Sequence, residues 1–233
     1  MLMLLLAAAE VSAAASGGSR GERRAEIVAR LQDEEAVFSL GAAESGGPQA
    51  PQRQELLAGA ENSLFKGELR VVPGSSGYFR AALEAGVHSG SLGLILGART
   101  ASLGRMQLRG LSARLEAEQS LTDEVRVGSS ASVWALDLES PPSRDPWDAF
   151  GRATLDWPQR WEVGAWVSGE LAPLSLAPAV AISDTPQGMA ARGAIAVEVD
   201  LGPMKLRVET GLQRIFAQEL TLLDLSAGIS LKL

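Results

Sequence analysis

The 233-residue sequence contains no cysteine and a single histidine, His88. Without cysteine the chain can form no disulfide, no thiol nucleophile and no cysteine-based zinc site. The sequence also shows no metal-ligand cluster and no glycine-rich phosphate loop. We therefore predict no cofactor, no metal site and no catalytic residue.

Long apolar runs and basic clusters are scarce as well. After the first nine residues, no apolar run approaches the roughly 20 residues that a membrane-crossing helix requires. The formal net charge is -7, from 28 acidic and 21 basic residues, and aromatic residues make up 5% of the chain. These values exclude a helical membrane protein and give no basic patch for a nucleic acid. The hydrophobic residues, which make up 46% of the chain, must therefore be shielded from water by something other than a bundle of membrane-spanning helices.

The N-terminus has the pattern of an exported protein. Residues 1–9 are apolar, and the small residues at 11–16 follow them, as in the h-region and cleavage site of a secretory signal peptide. We therefore predict a signal peptide over residues 1–15.

A charged segment at 19–35 comes next. Ile27, Val28 and Leu31 stand at helical spacing, and Ser19 with Glu22 fits a capping box. The sequence predicts a short amphipathic helix here, then a strand over 36–42 and a Gly/Pro/Gln linker. Residues 16–53 would form a periplasmic N-terminal segment.

From residue 54 to the end, apolar and polar side chains alternate with a period of two, as in strands with two different faces. The clearest case is 189–201, where apolar residues share one phase and most charged residues the other. Twelve such segments are predicted, and the count could be ten or fourteen: 54–62, 64–72, 78–88, 91–99, 105–118, 124–138, 150–157, 161–171, 174–183, 189–200, 204–213 and 220–233. The phase slips within 105–118, which predicts a bulge near Gly110.

Lipid or a second sheet must cover the apolar faces, because no long helix is predicted after residue 35. Four features favour lipid. Aromatic residues gather at strand ends, as at membrane interfaces, and the opposite faces carry many charges, as inside a barrel. The chain also begins with a predicted export signal and ends inside an amphipathic strand.

With its repeated amphipathic strands and its closing motif LDLSAGISLKL, the sequence resembles bacterial outer-membrane β-barrels as a class. The motif is similar to the C-terminal signal that the barrel assembly machinery reads, although it ends in Leu233 rather than an aromatic residue. The resemblance implies an all-β, antiparallel transmembrane barrel over 54–233, located in the outer membrane of a Gram-negative bacterium. It also implies contact with outer-membrane lipid and with that machinery during biogenesis.

An even strand count would place both ends of the barrel in the periplasm. The connections at 73–77, 100–104, 139–149, 172–174 and 201–203 would then be periplasmic. The longest of them, at 139–149, would lie on that side, and the outward loops would all be short. Long constricting loops are therefore not expected.

The polar faces predict a charged lumen. Its side chains could pair into a network that fills a narrow bore, or they could form selectivity rings in a water-filled channel. Trp166 could pack against the wall or stack on a sugar. The predicted lumen-lining residues are Lys66, Glu68, Arg70, Arg80, Glu84, His88, Glu162, Trp166, Arg192, Glu198, Lys205, Arg207 and Glu209.

Two functions fit this barrel: a narrow, porin-like channel, or a structural anchor of an envelope complex such as a motility complex. A periplasmic or envelope partner would bind the N-terminal helix or the 139–149 loop. One alternative is an exported soluble β-sheet protein that turns its apolar face inward around a lipid or another apolar ligand. Another is an outer-membrane hydrolase that uses His88 with a neighbouring serine.

Overall fold

The computed structural model is a closed antiparallel barrel of 14 strands. It describes residues 8–19, 21–32, 35–48, 50–72, 78–142, 145–154, 158–186 and 188–232. The strands are β1 (Ala8–Gly18), β2 (Arg23–Gln32), β3 (Val37–Gly47), β4 (Ala50–Glu61), β5 (Phe65–Val71), β6 (Tyr78–Ser89), β7 (Leu92–Leu103), β8 (Met106–Ser120), β9 (Val125–Glu139), β10 (Trp161–Leu171), β11 (Leu174–Thr185), β12 (Gly188–Asp200), β13 (Met204–Ile215) and β14 (Leu220–Lys232). Helix α1 (Pro146–Thr154) lies between β9 and β10, and a 3₁₀ turn (Phe216–Gln218) lies between β13 and β14.

The barrel is closed by its first and last strands. Each strand pairs with its neighbours in the sequence, and β1 pairs with β14 from Glu10 opposite Lys232 to Gly18 opposite Asp224. The predicted antiparallel barrel is confirmed, at the upper limit of the predicted strand count. Among the described residues, no helix has the length and apolar character needed to cross a membrane.

Eleven of the twelve segments predicted from residue 54 onward are strands, and they correspond to β4–β14. The prediction for 150–157 was wrong, because residues up to Thr154 belong to helix α1. The helix begins with a local cap: the side chain of Asp145 accepts a hydrogen bond from the backbone nitrogen of Asp148 at 3.1 Å. Pro146 at the first helical position is compatible with this start, because no partner is needed there for its missing N–H.

The helix predicted within 19–35 is also wrong. Residues Arg23–Gln32 form strand β2, which is paired along its whole length with β1 and β3. Ile27 and Leu31 project outward and are exposed, whereas Val28 projects inward and is buried. The sequence therefore alternates as a strand does, and pairing on both sides stabilises the strand over the isolated helix that the spacing suggested.

The predicted linker is part of the barrel wall. The expected strand over 36–42 overlaps β3 from Val37 onward, and β4 begins at Ala50, so the barrel starts well before residue 54. Residues 1–7 of the predicted signal peptide lie outside the described residues, and the rest of it, from Ala8, lies in β1. Its removal stays a prediction, and cleavage after residue 15 would take away most of β1, the strand that closes the barrel against β14.

No bulge occurs near Gly110. The pairs between β8 and β9 run without a shift from Gln107 opposite Glu139 to Ser120 opposite Arg126. The phase slip has another cause: Leu108 faces inward and packs against Phe150 of helix α1. An inward apolar residue here covers the helix rather than marking an irregular strand.

The two faces of the wall differ as the alternation predicts. The outward positions carry exposed apolar side chains, among them Leu83, Leu111, Val180, Leu212 and Leu225. Most charged residues in the same strands point inward, whereas Arg109 on β8 and Arg214 on β13 are in the outward phase. This is the reverse of the arrangement required by a soluble protein that turns its apolar face toward a bound lipid. An apolar exterior on a closed barrel is stable in a bilayer, because no backbone edge is left without a partner.

Consecutive strands run in opposite directions, so successive connections lie at opposite ends of the barrel. The terminus end is where β1 begins and β14 ends, and the helix end is where β9 ends and β10 begins. The connections after β5, β7 and β9 lie at the helix end, whereas those at 172–174 and 201–203 lie at the terminus end. The prediction that all five share one side was therefore wrong, because it counted the helical residues as a strand.

The outward face can be tested on β14, where Leu225 points outward and Ser226 points into a cavity of the barrel. Leu225→Arg would place a charge in the hydrocarbon region and should lower the free energy of unfolding by about 2–4 kcal/mol. Ser226→Arg should cost far less, because the lumen is polar. Urea-induced unfolding in lipid vesicles measures both. Equal losses would contradict the assignment of the two faces.

Candidate functional site

Helix α1 lies inside the barrel. Phe150 is fully buried and packs with Ala101 of β7 and Leu108 of β8, and Leu136 and Leu138 of β9 border the same cluster. On another part of the wall, the Arg53 guanidinium of β4 donates a hydrogen bond to the carbonyl oxygen of Thr154. A nine-residue helix that touches both β4 and β7–β9 must lie within the lumen. The long connection is therefore a constriction of the kind that the sequence did not predict.

All of the predicted lumen residues lie on the inner face. Arg80 on β6 stands opposite Ala101, which packs against helix α1, and this sets the inward phase for the neighbouring strands. The strand register carries that phase around the wall to the following residues: Lys66, Glu68, Arg70, Arg80, Glu84, His88, Glu162, Trp166, Arg192, Glu198, Lys205, Arg207 and Glu209. Their part in solute passage stays a proposal.

The most buried charges form a network on β2–β5. The Glu55 carboxylate is 2% exposed and accepts hydrogen bonds from Ser45 Oγ at 2.7 Å, Arg24 Nη1 at 2.9 Å and Arg53 Nε at 3.2 Å. Arg70 lies 4.0 Å from the same carboxylate. Because three guanidinium groups surround one carboxylate, Glu55 holds these strands together through charge-assisted hydrogen bonds.

Arg70 extends this network along the wall. Its guanidinium contacts Glu68 at 2.5 Å and Glu26 at 3.6 Å, and Glu26 in turn accepts from Arg24 at 2.9 Å. Positive and negative groups alternate from β2 to β5, so each charge has an opposite neighbour. The pairing predicted for the inner face is present here as a continuous cluster.

Further ion pairs lie elsewhere on the inner wall, within one strand or between strands. They are Arg114 with Glu84 at 3.3 Å and with Glu116 at 2.9 Å, Arg192 with Glu209 at 3.6 Å, Lys205 with Glu198 at 3.1 Å, and Arg126 with Glu118 at 3.7 Å. These pairs are partly exposed, so each contributes little to stability by itself. Together they balance the charge of the inner surface.

Several inner residues were missed from the sequence. Arg24, Glu26 and Arg53 fell in the predicted helix and linker, and Glu55 fell in the predicted strand 54–62 but was not named as a lumen residue. Their period-two spacing was a usable signal. Arg99 lies over the Trp134 ring at 4.5 Å from its centroid and was not predicted to line the lumen. That stacking depends on the register of β7 with β8 and β9, which the sequence does not reveal.

Two large cavities open along the lumen, one near each end. The first lies at the helix end, has a volume of about 400 Å³, and is bordered by Arg24, Glu55, Arg70, Arg80 and Asp148 among other residues. The second lies at the terminus end, has a volume of about 660 Å³, and is bordered by His88, Glu116 and Trp166. Space for water and small solutes therefore exists at both ends of the lumen.

The hydrolase alternative required His88 to act on a serine. Among the described residues, no hydrogen bond or ion pair joins His88 to a serine or a carboxylate. The histidine is exposed at the terminus end, where its ring lies against Gly93. In the described part of the chain, His88 therefore has no serine within the roughly 3 Å that a nucleophile and its base require.

Comparison with solved structures relates this fold to bacterial outer-membrane barrels. The KdgM porin in complex with disordered oligogalacturonate is 7% identical, with a TM-score of 0.51, covering 95% of this chain and 98% of that chain. The NanC porin is 9% identical, with a TM-score of 0.56, covering 96% and 100%. A bacterial polysaccharide outer membrane secretin is 8% identical, with a TM-score of 0.62, covering 97% and 98%.

At these identities the likeness concerns the fold. No protein-family profile matches the sequence, and no curated protein matches it. The closed barrel, its apolar exterior and the porin-like fold together point to the bacterial outer membrane as the location of this chain.

Glu55→Gln tests the buried network. The substitution keeps the shape of the side chain but leaves the arginines around it without their shared negative charge, so unfolding should become easier by about 2–3 kcal/mol. Glu61→Gln on the same strand is the matched control, because Glu61 is half exposed and its only close cation in the described structure, Lys66, lies 3.8 Å away. Its cost should stay below about 1 kcal/mol in the same urea titration. Similar costs for both variants would contradict a structural role for the network.

Proposed function

We propose that this chain is a narrow diffusion channel for small polar solutes in the outer membrane, constricted by helix α1. The observation that carries the proposal is a charged lumen with open space at both ends and a helix seated between parts of its wall. A purely structural barrel would have no need for polar cavities of this size. Porins with the same fold support the proposal at the level of architecture.

The strand number favours a restricted channel. Barrels of about eight strands are filled by their own side chains, whereas those of 16 or more leave a wide aqueous bore. Fourteen strands lie between these limits. The inserted helix narrows the bore further, so passage should be limited to solutes much smaller than a protein or a long polymer.

The inner charges favour water over apolar solutes. Acidic and basic groups alternate along β2–β5 and recur as pairs on the other strands. Such a wall is well hydrated, and its balanced pairs do not favour either sign of ion strongly. We therefore expect weak selectivity between small anions and cations.

The channel is tested by single-channel conductance in a planar bilayer with refolded barrel. Heat-modifiable migration on a gel establishes that the barrel is folded before the measurement. Discrete, voltage-stable current steps are expected. A folded barrel that passes no current would overturn the channel and would favour the alternative of a structural anchor for an envelope complex.

Phe150→Ala tests the constriction. Removing a fully buried phenylalanine costs about 3–5 kcal/mol and leaves the nine-residue helix with the partly buried Trp147 and the Arg53 hydrogen bond to Thr154 as its main contacts. The helix should detach from the inner wall of the barrel, and the current steps should become larger or more frequent. Phe216→Ala is the matched control, because Phe216 is exposed in the 3₁₀ turn at the same end. Unchanged traces for Phe150→Ala would contradict the constriction.

A further inference from the structure

Two aromatic rings lie against the wall of the lumen near the terminus end. Trp166 on β10 stands opposite Gly128 on β9, and His88 on β6 stands opposite Gly93 on β7. A side-chain carbon added to Gly93 would lie 2.6 Å from Nδ1 of His88, and one added to Gly128 would collide with the indole of Trp166. In each case the absence of a side chain on the neighbouring strand lets the ring lie along the wall.

The register joins these rings into one polar site. One row of paired residues runs Trp166, Gly128 and Glu118 across β10, β9 and β8. The adjacent row ends in Ser130, Glu116, Gly93 and His88 across β9, β8, β7 and β6. Both rows border the cavity of about 660 Å³ at the terminus end.

The lining of this cavity is rich in hydrogen-bonding groups, and arginines outside the lining partly compensate the charge of its two carboxylates. Glu116 is paired with Arg114 at 2.9 Å and Glu118 with Arg126 at 3.7 Å, so each carboxylate already has a cation beside it. Carboxylate oxygens still accept further hydrogen bonds in such pairs. The remaining lining includes the polar residues Ser91, Gln119, Ser120 and Ser130, which supply both donors and acceptors.

We propose that this cavity is a binding site for a neutral sugar ring, with Trp166 as the stacking surface. A pyranose has one apolar face of C–H groups and an edge of hydroxyl groups, so it requires a flat aromatic surface beside several hydrogen-bonding groups. The indole of Trp166 provides that surface, and Glu116, Glu118 and Ser130 lie on the neighbouring strands. The proposal deepens the channel function above and rests on it, because the sugar would bind on its way through the lumen.

The paired charges favour a neutral sugar over an ion. A cation above the indole would gain little from Glu116 and Glu118, because Arg114 and Arg126 already partly compensate the charge of these carboxylates. An acidic solute would meet Glu116 and Glu118 directly. The uncharged hydroxyl groups of a sugar can bond to carboxylates and serines alike, so they fit this lining best.

Binding of maltotriose to refolded wild-type barrel in detergent, measured by titration calorimetry, tests the site without requiring current. Trp166→Ala should weaken binding about tenfold or more, the effect of truncating a central aromatic contact. Trp166→Phe should retain part of the affinity, because a ring remains. Trp161→Ala is the matched control on the same strand, since Trp161 lies in the outward phase, and it should bind as the wild type does.

Mannitol and choline serve as comparison ligands in the same titration. Mannitol has the hydroxyl groups but no ring face, so it should bind far more weakly than maltotriose. Choline binding that is lost in Trp166→Ala, with no maltotriose binding in the wild type, would overturn the sugar site. So would equal maltotriose binding by the wild type and a folded Trp166→Ala barrel.

The channel and the sugar site can be disproved independently of each other. A barrel that binds maltotriose through Trp166 but passes no current would keep the site and overturn the channel. A conducting barrel that binds no maltotriose would keep the channel and overturn the site. In a barrel that does both, added maltotriose should interrupt the current in the wild type and much less in Trp166→Ala.

Discussion

The pairing of β1 with β14 is the interaction on which the rest of this structure depends. In a bilayer, an unpaired sheet edge would leave backbone N–H and C=O groups without any partner, at a cost of several kcal/mol for each group. The nine residue pairs from Glu10 opposite Lys232 to Gly18 opposite Asp224 remove both edges at once. Closure also divides the side chains into an outer set that meets lipid and an inner set that meets water.

The inner set is organised by charge compensation. Glu55 gathers arginines from β2 and β4 and lies near one from β5, and smaller pairs repeat the same principle around the wall. These groups stiffen the wall while keeping it hydrated, which a lumen of apolar side chains would not do. Helix α1 lies on an apolar part of the inner wall, where Leu108, Leu136 and Leu138 pack in the cluster around Phe150.

The two ends of the lumen therefore differ in character. At the helix end, a buried aromatic residue anchors a constriction within the charged wall. At the terminus end, Trp166 and His88 lie along the wall beside a polar cavity, because Gly128 and Gly93 leave space for their rings. A solute that crosses the barrel would meet a stacking surface and a narrow passage in succession, which is an arrangement suited to selection by size and shape.

The period-two alternation determined most of the fold, because lipid outside and water inside act on every second residue of each strand. It predicted β4–β14 and the inward phase of residues such as Arg80 and Trp166. It also ran through Arg23–Gln32, but there the helical spacing of Ile27, Val28 and Leu31 concealed it. Local spacing cannot distinguish a free amphipathic helix from a strand whose neighbours pair with it on both sides.

Only the tertiary structure decided what fills the lumen. The cap at Asp145 and the proline after it are local signals for helix α1, but its place inside the barrel depends on Leu108 and Ala101, which are distant in the sequence. The same holds for the contact of Trp166 with Gly128, which follows from strand register. Alternation is a property of each strand alone, and so the sequence determined the two faces. Contacts across the lumen depend on closure and register, which no single segment contains.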